Sequence, residues 1–283
     1  MKYQIVVNRQ LLGYGQFVTE GRDEVNTFTI LNKETDEKEE RPFIFASKLR
    51  AVERRTIMKK VREVLKNDCF LQVHEKAGES GISGLCLSCP ACWLFGGTYA
   101  PGEGKVQVNE KTKVSYSDAY PFEKIPIEDK TFNAVDEKRN ITGQALGVNQ
   151  IIGPGGNFIN VIDIETDNEN WIKLIVWSIE HSDRYGGNVR IYGQMKNEIL
   201  GIIKSDKLEV TSWDLVNNFK NVDEVRKYLE EKFKNKLVKI SITTTDTIDS
   251  IIKSLDESKE VKELKDRKKE AGESKKSKEK KSE

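Results

Sequence analysis

The chain has 283 residues, enough for one elaborated domain with a sizeable core. Hydrophobic residues make up 37% and charged residues 33%, the first low and the second high for a globular domain, and the net charge is only +1. Net charge therefore does not announce a nucleic-acid binder, so any basic surface must be a local stripe; no apolar run is long enough for a membrane span; and four cysteines, three of them bunched, argue against a disulfide framework and for a reducing, cytoplasmic setting.

Residues 2–9 alternate as a first strand, and Gly13 and Gly15 then turn the chain. A short strand is expected over Thr27–Leu31, followed by a charged hairpin tip or loop from Asn32 to Arg41. The strongest helix runs from about Lys48 to Lys66 with Ser47 as its N-cap. Leu49, Val52, Ile57, Val61, Val64 and Leu65 form its apolar stripe. Lys48, Arg50, Arg54, Arg55, Lys59, Lys60 and Arg62 load the rest, interrupted only by Glu53 and Glu63. Such a face is either a solvated surface or a phosphate-binding one, since arginine forks suit phosphate oxygens.

Phe70–His74 reads as a strand, and a Gly-rich arm leads to the cysteines. The segment from Gly96 to Ile152 is long and irregular. After the Gly153–Gly156 turn come an alternating strand over 158–165, a helix over 169–182 capped by Asn168, and a strand over 191–195. A helix over 214–234 and a last strand over 237–243 follow. This order matches a split βαβ, ferredoxin-like α+β plan with large insertions. The domain spans 1–252. Residues 253–283 carry 12 Lys/Arg against 9 Asp/Glu and read as a disordered tail with no apolar face.

Cys86, Cys89 and Cys92 follow a C-x2-C-x2-C spacing whose thiolates can converge on one ion. Three thiolates leave a tetrahedral Zn2+ one ligand short. His74 is the preferred fourth ligand and Cys69 the alternative, in a structural site with no open position. An iron–sulfur cluster is the rival, but the fourth cysteine of the ferredoxin run is absent. Gly186 and Gly187, with Arg184 and Arg190, make either a tight turn or a backbone approach to phosphates. Asp23 and Glu24 are surface acids or, beside nucleic acid, groups that hold Mg2+ or Mn2+ or activate a hydroxyl.

Several stretches in order then resemble the repeat-associated (RAMP) backbone subunits of CRISPR effector complexes. They are the Gly21–Glu24 loop, Phe43–Arg50, Cys89-Pro90-Ala91-Cys92-Trp93-Leu94-Phe95-Gly96, Tyr116-Ser117-Asp118-Ala119, Ile141–Ala145, Gly153–Phe158 and the Gly186-Gly187…Tyr192-Gly193 loop. The type I-D backbone subunit is most similar and the type III subunits are second. The resemblance implies a modified RRM palm and a long β-hairpin thumb at about 120–155, with the zinc knuckle read from the cysteines, at about 69–96, as an insertion. It implies copies stacked along a guide RNA, facing complementary target DNA or RNA beside other effector subunits, with no membrane. Guide contacts would fall on Lys48, Arg50, Arg54 and Arg55 and on Gly186, Gly187 and Arg190. Asp23 is the nearest match to the aspartate with which type III relatives cut target RNA. The Glu-Gly-Arg-Asp-Glu loop and Val189-Arg190-Ile191-Tyr192-Gly193 depart from the usual forms of that family.

Overall fold

The computed structural model describes residues 1–19, 24–32, 35–73, 82–99, 108–136, 138–139, 141–240 and 247–273. In chain order the elements are β1 (Lys2–Leu11), β2 (Thr27–Asn32), β3 (Glu37–Pro42), α1 (Ala46–Leu65), β4 (Gln72–Val73), β5 (Ile82–Ser83), α2 (Pro90–Phe95), β6 (Gly97–Tyr99), β7 (Val108–Glu110), β8 (Val114–Tyr116) and β9 (Tyr120–Pro121). They continue as β10 (Ile127–Asp136), β11 (Ile141–Ile152), β12 (Asn157–Glu165), α3 (Asn170–Glu180), β13 (Met195–Ser205), α4 (Ser212–Asn218), α5 (Val222–Lys232), α6 (Ile248–Asp256) and α7 (Lys259–Glu273).

The main sheet is antiparallel in the order β13-β1-β12-β8, with β9 also pairing β12. Ile5 of β1 lies opposite Ile162 on one side and Ile202 on the other. Helix α1 connects β1 towards β8, and α3 connects β12 to β13. Nearly every residue of β1 is buried, because both faces of the sheet are covered. Tyr3, Ile5 and Val7 pack into one core with α1, α3 and the cysteine region. Val6 packs into a second core with Leu215, Val216, Val225 and Leu229 of α4 and α5. The fold is thus a helix–sheet–helix sandwich.

A long hairpin, β10–β11, leaves this sheet in the register Ile127↔Ile152. It lies within the 120–155 span expected for the thumb. A shorter hairpin, β2–β3, sits over an aromatic cluster in which Phe28 meets Phe43, Tyr120 and Trp213 with ring centroids 6.0, 4.9 and 5.8 Å apart. Its second strand falls where the sequence suggested a charged tip, because Arg41 turns inward to the carbonyls of Pro121 and Phe122.

Other differences have local causes. Helix α1 begins at Ala46, and Ser47 is not its cap. The Asp118 carboxylate accepts the Ala46 N–H at 2.7 Å instead. The helix expected over 214–234 is two helices, because Asn221 caps the second by accepting the Glu224 N–H at 3.0 Å. The strand expected at 191–195 starts only at Met195. Gly193, at φ +77°, lies where a Cβ would overlap the Tyr185 carbonyl. The chain expected to be a disordered tail forms α7 and the end of α6 through Glu273. Ile251, Ile252 and Leu255 of α6 and Val261 and Leu264 of α7 are buried in the first core, so the apolar face exists but is sparse.

One buried ion pair joins these parts. Arg9 of β1 and Glu53 of α1 are both fully buried and meet at 2.8 Å. Tyr116 donates to Glu53 at 2.7 Å and Tyr185 at 3.1 Å. Arg9 also donates to Asn160 at 2.7 Å and to Asn197 at 3.2 Å. Burial works most strongly against the Arg9 charge, but Glu53 together with Tyr185 and Tyr116 holds the guanidinium above its ordinary pKa. Burial and the Glu53 charge push the Tyr116 phenol well up, so it stays protonated and donates. Glu53→Ala is expected to lower unfolding free energy by about 3–5 kcal/mol, read as a lower denaturant midpoint at constant slope. Arg9→Met combined with Glu53→Leu should lose less than the two single changes summed. Strict additivity in that cycle would show that the pair is not coupled.

Candidate metal centre and nucleic-acid interface

The four sulfurs of Cys69, Cys86, Cys89 and Cys92 all lie within 4.8 Å of one another. Cys69–Cys92 is 3.4 Å and Cys86–Cys92 is 3.9 Å. A tetrahedron with metal–sulfur bonds of about 2.3 Å has edges of about 3.8 Å, so the set fits a four-thiolate ion. The Cys69 sulfur, the alternative fourth ligand in the sequence, joins the three of the knuckle; His74, which the sequence favours, lies outside the described residues. His181 is elsewhere, stacked on Trp177 at 4.5 Å. Among the described residues no other group of three or more His, Cys, Asp or Glu converges in this way.

Local conformation builds the knuckle. Cys89 precedes α2 in extended backbone, and Pro90 starts the helix without needing an N–H partner. Leu87 takes a left-handed conformation at φ +41° that turns Cys86 and Cys89 to one side. The Cys86 N–H points at the Cys69 sulfur at 3.4 Å. Hydrogen bonding with Cys69, Cys89 and Cys92 drives the Cys86 thiol far down, while Cys69 and Cys86 push Cys89 and Cys92 up. Four thiols this close cannot all ionise by themselves; a divalent cation would hold all four as thiolates.

The basic helix is divided between two tasks. Arg50 donates to the Phe95 carbonyl, and Arg54 to the Gly96 carbonyl at 3.1 Å. Both guanidinium groups sit beside the Phe95 ring, 5.7 and 5.9 Å from its centroid. Arg62 donates to the Cys69 carbonyl at 2.9 Å and covers Phe70 at 4.2 Å. These three arginines clamp the cysteine module, two of them at the carbonyl-rich end of α2. Burial, and then the neighbouring Arg50, lower the Arg54 pKa; burial lowers that of Lys48. Arg55 is exposed and Lys48 half-buried, and among the described residues neither pairs with a carboxylate.

The glycine loop is brought to the same helix. Thr56 and Ser182 hydroxyls meet at 2.9 Å, and Tyr185 reaches Glu53. Gly186, at φ +96°, packs where a Cβ would stand 2.4 Å from the Gln16 carbonyl. The Gly187 N–H is taken by that carbonyl at 2.8 Å. The glycines therefore serve a close approach of two backbones, and Arg190 is left exposed at the loop tip. Of the early acids, Asp23 lies outside the described residues. Glu24 is exposed next to Val25, whose N–H donates to Gln150 of β11 at 3.0 Å.

Sequence reasoning does not single out Arg9, Tyr185 or Arg62 for the roles they fill. Arg9 carries one signal, a charge placed among the apolar residues of a central strand. The Tyr116-Ser117-Asp118-Ala119 stretch is conspicuous in the sequence, and the fold gives each of its residues a purpose. Tyr116 holds Glu53, Ser117 accepts the Val161 N–H at 2.7 Å, Asp118 caps α1, and Ala119 bridges Ile44.

No helix among the described residues is long and apolar enough to cross a membrane. No curated protein matches the sequence. The crystal structure of Thermofilum pendens Csc2 is similar at a TM-score of 0.63 and 22% identity, over 94% of this chain and 89% of that one. A chain of a CRISPR RNA-guided surveillance complex is similar at a TM-score of 0.51 and 11% identity, over 89% of this chain and 98% of that one. A chain of a type IV-B CRISPR complex gives 0.49 and 14%, over 77% and 97%. A family model described as Csc2 Crispr matches residues 2–282, so the chain belongs to the Csc2 family of CRISPR proteins.

Proposed function

We propose that this chain is a guide-RNA-binding backbone subunit of a CRISPR surveillance complex, most like the type I-D backbone subunit. The observation that carries the reading is the junction of α1 with the 182–193 loop, which sets Lys48, Arg55 and Arg190, with no carboxylate partner among the described residues, along joined elements. Such cations take RNA phosphates without reading sequence, which is left to base pairing. Arg50 and Arg54 support this surface from behind by holding the cysteine module. The sheet order, with α1 and α3 as its connections, supports a modified RRM palm. The β10–β11 hairpin supports a thumb that separates guide–target duplex at intervals, with copies stacked along the guide and other effector subunits at the ends. Family membership and the fold shared with the surveillance-complex chain support this assembly.

The ion is Zn2+, held by Cys69, Cys86, Cys89 and Cys92, and its role is structural because no ligand position is left for substrate. A second reading, metal-dependent cleavage of single-stranded target with Mg2+ or Mn2+ at Asp23 and Glu24, rests on the early loop alone. The Val25 N–H, next to Glu24, donates to Gln150 of β11, and this contact favours it.

Lys48→Ala, Arg55→Ala and Arg190→Ala should each weaken RNA binding and flatten the log K against log salt plot by about one for every phosphate no longer neutralised. A slope equal to that of the unaltered chain would remove the residue from the interface. Cys69→Ser should release zinc and lower the melting temperature, while His74→Ala keeps both; metal analysis of the purified variants decides between them. Asp23→Ala should abolish interval cleavage of a matched target RNA with guide binding intact, and full cleavage by that variant would clear the loop of this role.

A further inference from the structure

One exposed ring on this surface serves neither the metal module nor the buried ion pair. Tyr14 follows β1 and is 37% exposed. Its backbone is pinned on two sides. The Tyr14 carbonyl accepts the Gly193 N–H at 2.8 Å, and the Leu12 N–H donates to the Gln194 carbonyl at 2.9 Å. Gly15 and Ile152, at the base of the hairpin, exchange two backbone bonds of 3.0 and 2.8 Å. The ring therefore stands on a rigid floor between the Arg190 loop and the hairpin. Lys130 of β10 places its ammonium 5.2 Å from the ring centroid. Leu12, Val189 and Ile191 on the same two loops are 50%, 40% and 69% exposed.

The geometry points to Tyr14 as a stacking platform for one unpaired nucleobase of single-stranded RNA, with the Lys130 ammonium beside it. This rests on the RNA-binding reading and adds to it a residue that engages bases, where the cations engage phosphates. A pinned aromatic ring with an adjacent ammonium and exposed aliphatic neighbours suits a flat base, whichever base it is. A phosphate is less well served there. Glu128 is exposed two residues from Lys130, on the same face of the strand by its period of two, so the local charge is mixed.

The test uses the full chain and two single-stranded RNA oligonucleotides of equal length, one of uridines and one abasic. Tyr14→Ala should weaken binding to the uridine strand about tenfold, leave the salt slope unchanged, and change nothing on the abasic strand. Tyr14→Phe should bind as the unaltered chain does. Tyr14→Leu, which keeps an apolar side chain without the ring, should behave as Tyr14→Ala, so a folding defect of the smaller residue does not decide the result. Equal binding by the leucine variant and the unaltered chain overturns the inference, as does an equal loss on both strands. Loss of multimers with RNA affinity intact would assign the ring to a protein interface and overturn it too. If the unaltered chain binds neither RNA, the functional reading itself falls. If it binds RNA and the Tyr14 variants match it, only the stacking role falls.

Discussion

Arg9 and Glu53 carry opposite charges into the centre of the molecule, where water reaches neither. Removing two charges from water costs several kcal/mol each, and Coulomb attraction offsets this only when the remaining donors and acceptors are met as well. Here Asn160, Asn197, Tyr116 and Tyr185 supply those partners. The consequence is geometric. Strands β1, β8, β12 and β13, helix α1 and the 182–193 loop each bring a group to the same point, so none can shift without exposing a charge to an apolar interior. The proposed RNA surface lies on two of those elements, α1 and the 182–193 loop.

The cysteine module is held on the other side of α1. Its sulfurs are close enough that a metal is the natural resolution of their mutual repulsion, and metal affinity there becomes folding free energy. The helix that supplies outward cations also supplies Arg50, Arg54 and Arg62 to the module's carbonyls. Trp93 of α2 stacks on Trp171 of α3 at 4.1 Å, which ties the module to that helix. Helices α6 and α7 close over it, and Arg267 of α7 pairs with the buried Glu110 of β7. A metal held by the four cysteines would, with the arginine clamp, take the place of a hydrophobic core of the module's own.

A basic helix is therefore not one surface. Lys48 and Arg55 face outward, Glu53 and Ile57 face the core, and Arg50 and Arg54 face the cysteines, all within three turns. Near-zero net charge is compatible with nucleic-acid binding because it is the sign of one face, and not of the chain, that a phosphate meets.

The amino-acid sequence by itself determined the central strands, helix α1 with its apolar stripe, the cysteine knuckle, and the order of motifs that belongs to this family. Those features are local: period, spacing and composition write them within a few residues. What only the tertiary structure decided were choices among distant partners. Cys69 and His74 were both admissible as fourth ligand, and the chain path after α1 brought Cys69 into the cluster. Asp118 caps a helix that starts 72 residues before it, so Ser47 was not needed. The sparse apolar residues after Ser254 read as solvated until the cysteine module offered them a surface. The arginines of α1 looked alike because a helix carries no mark of which side its neighbours will occupy. Side-chain chemistry states what a residue can bind, and only packing selects which of its eligible partners it meets.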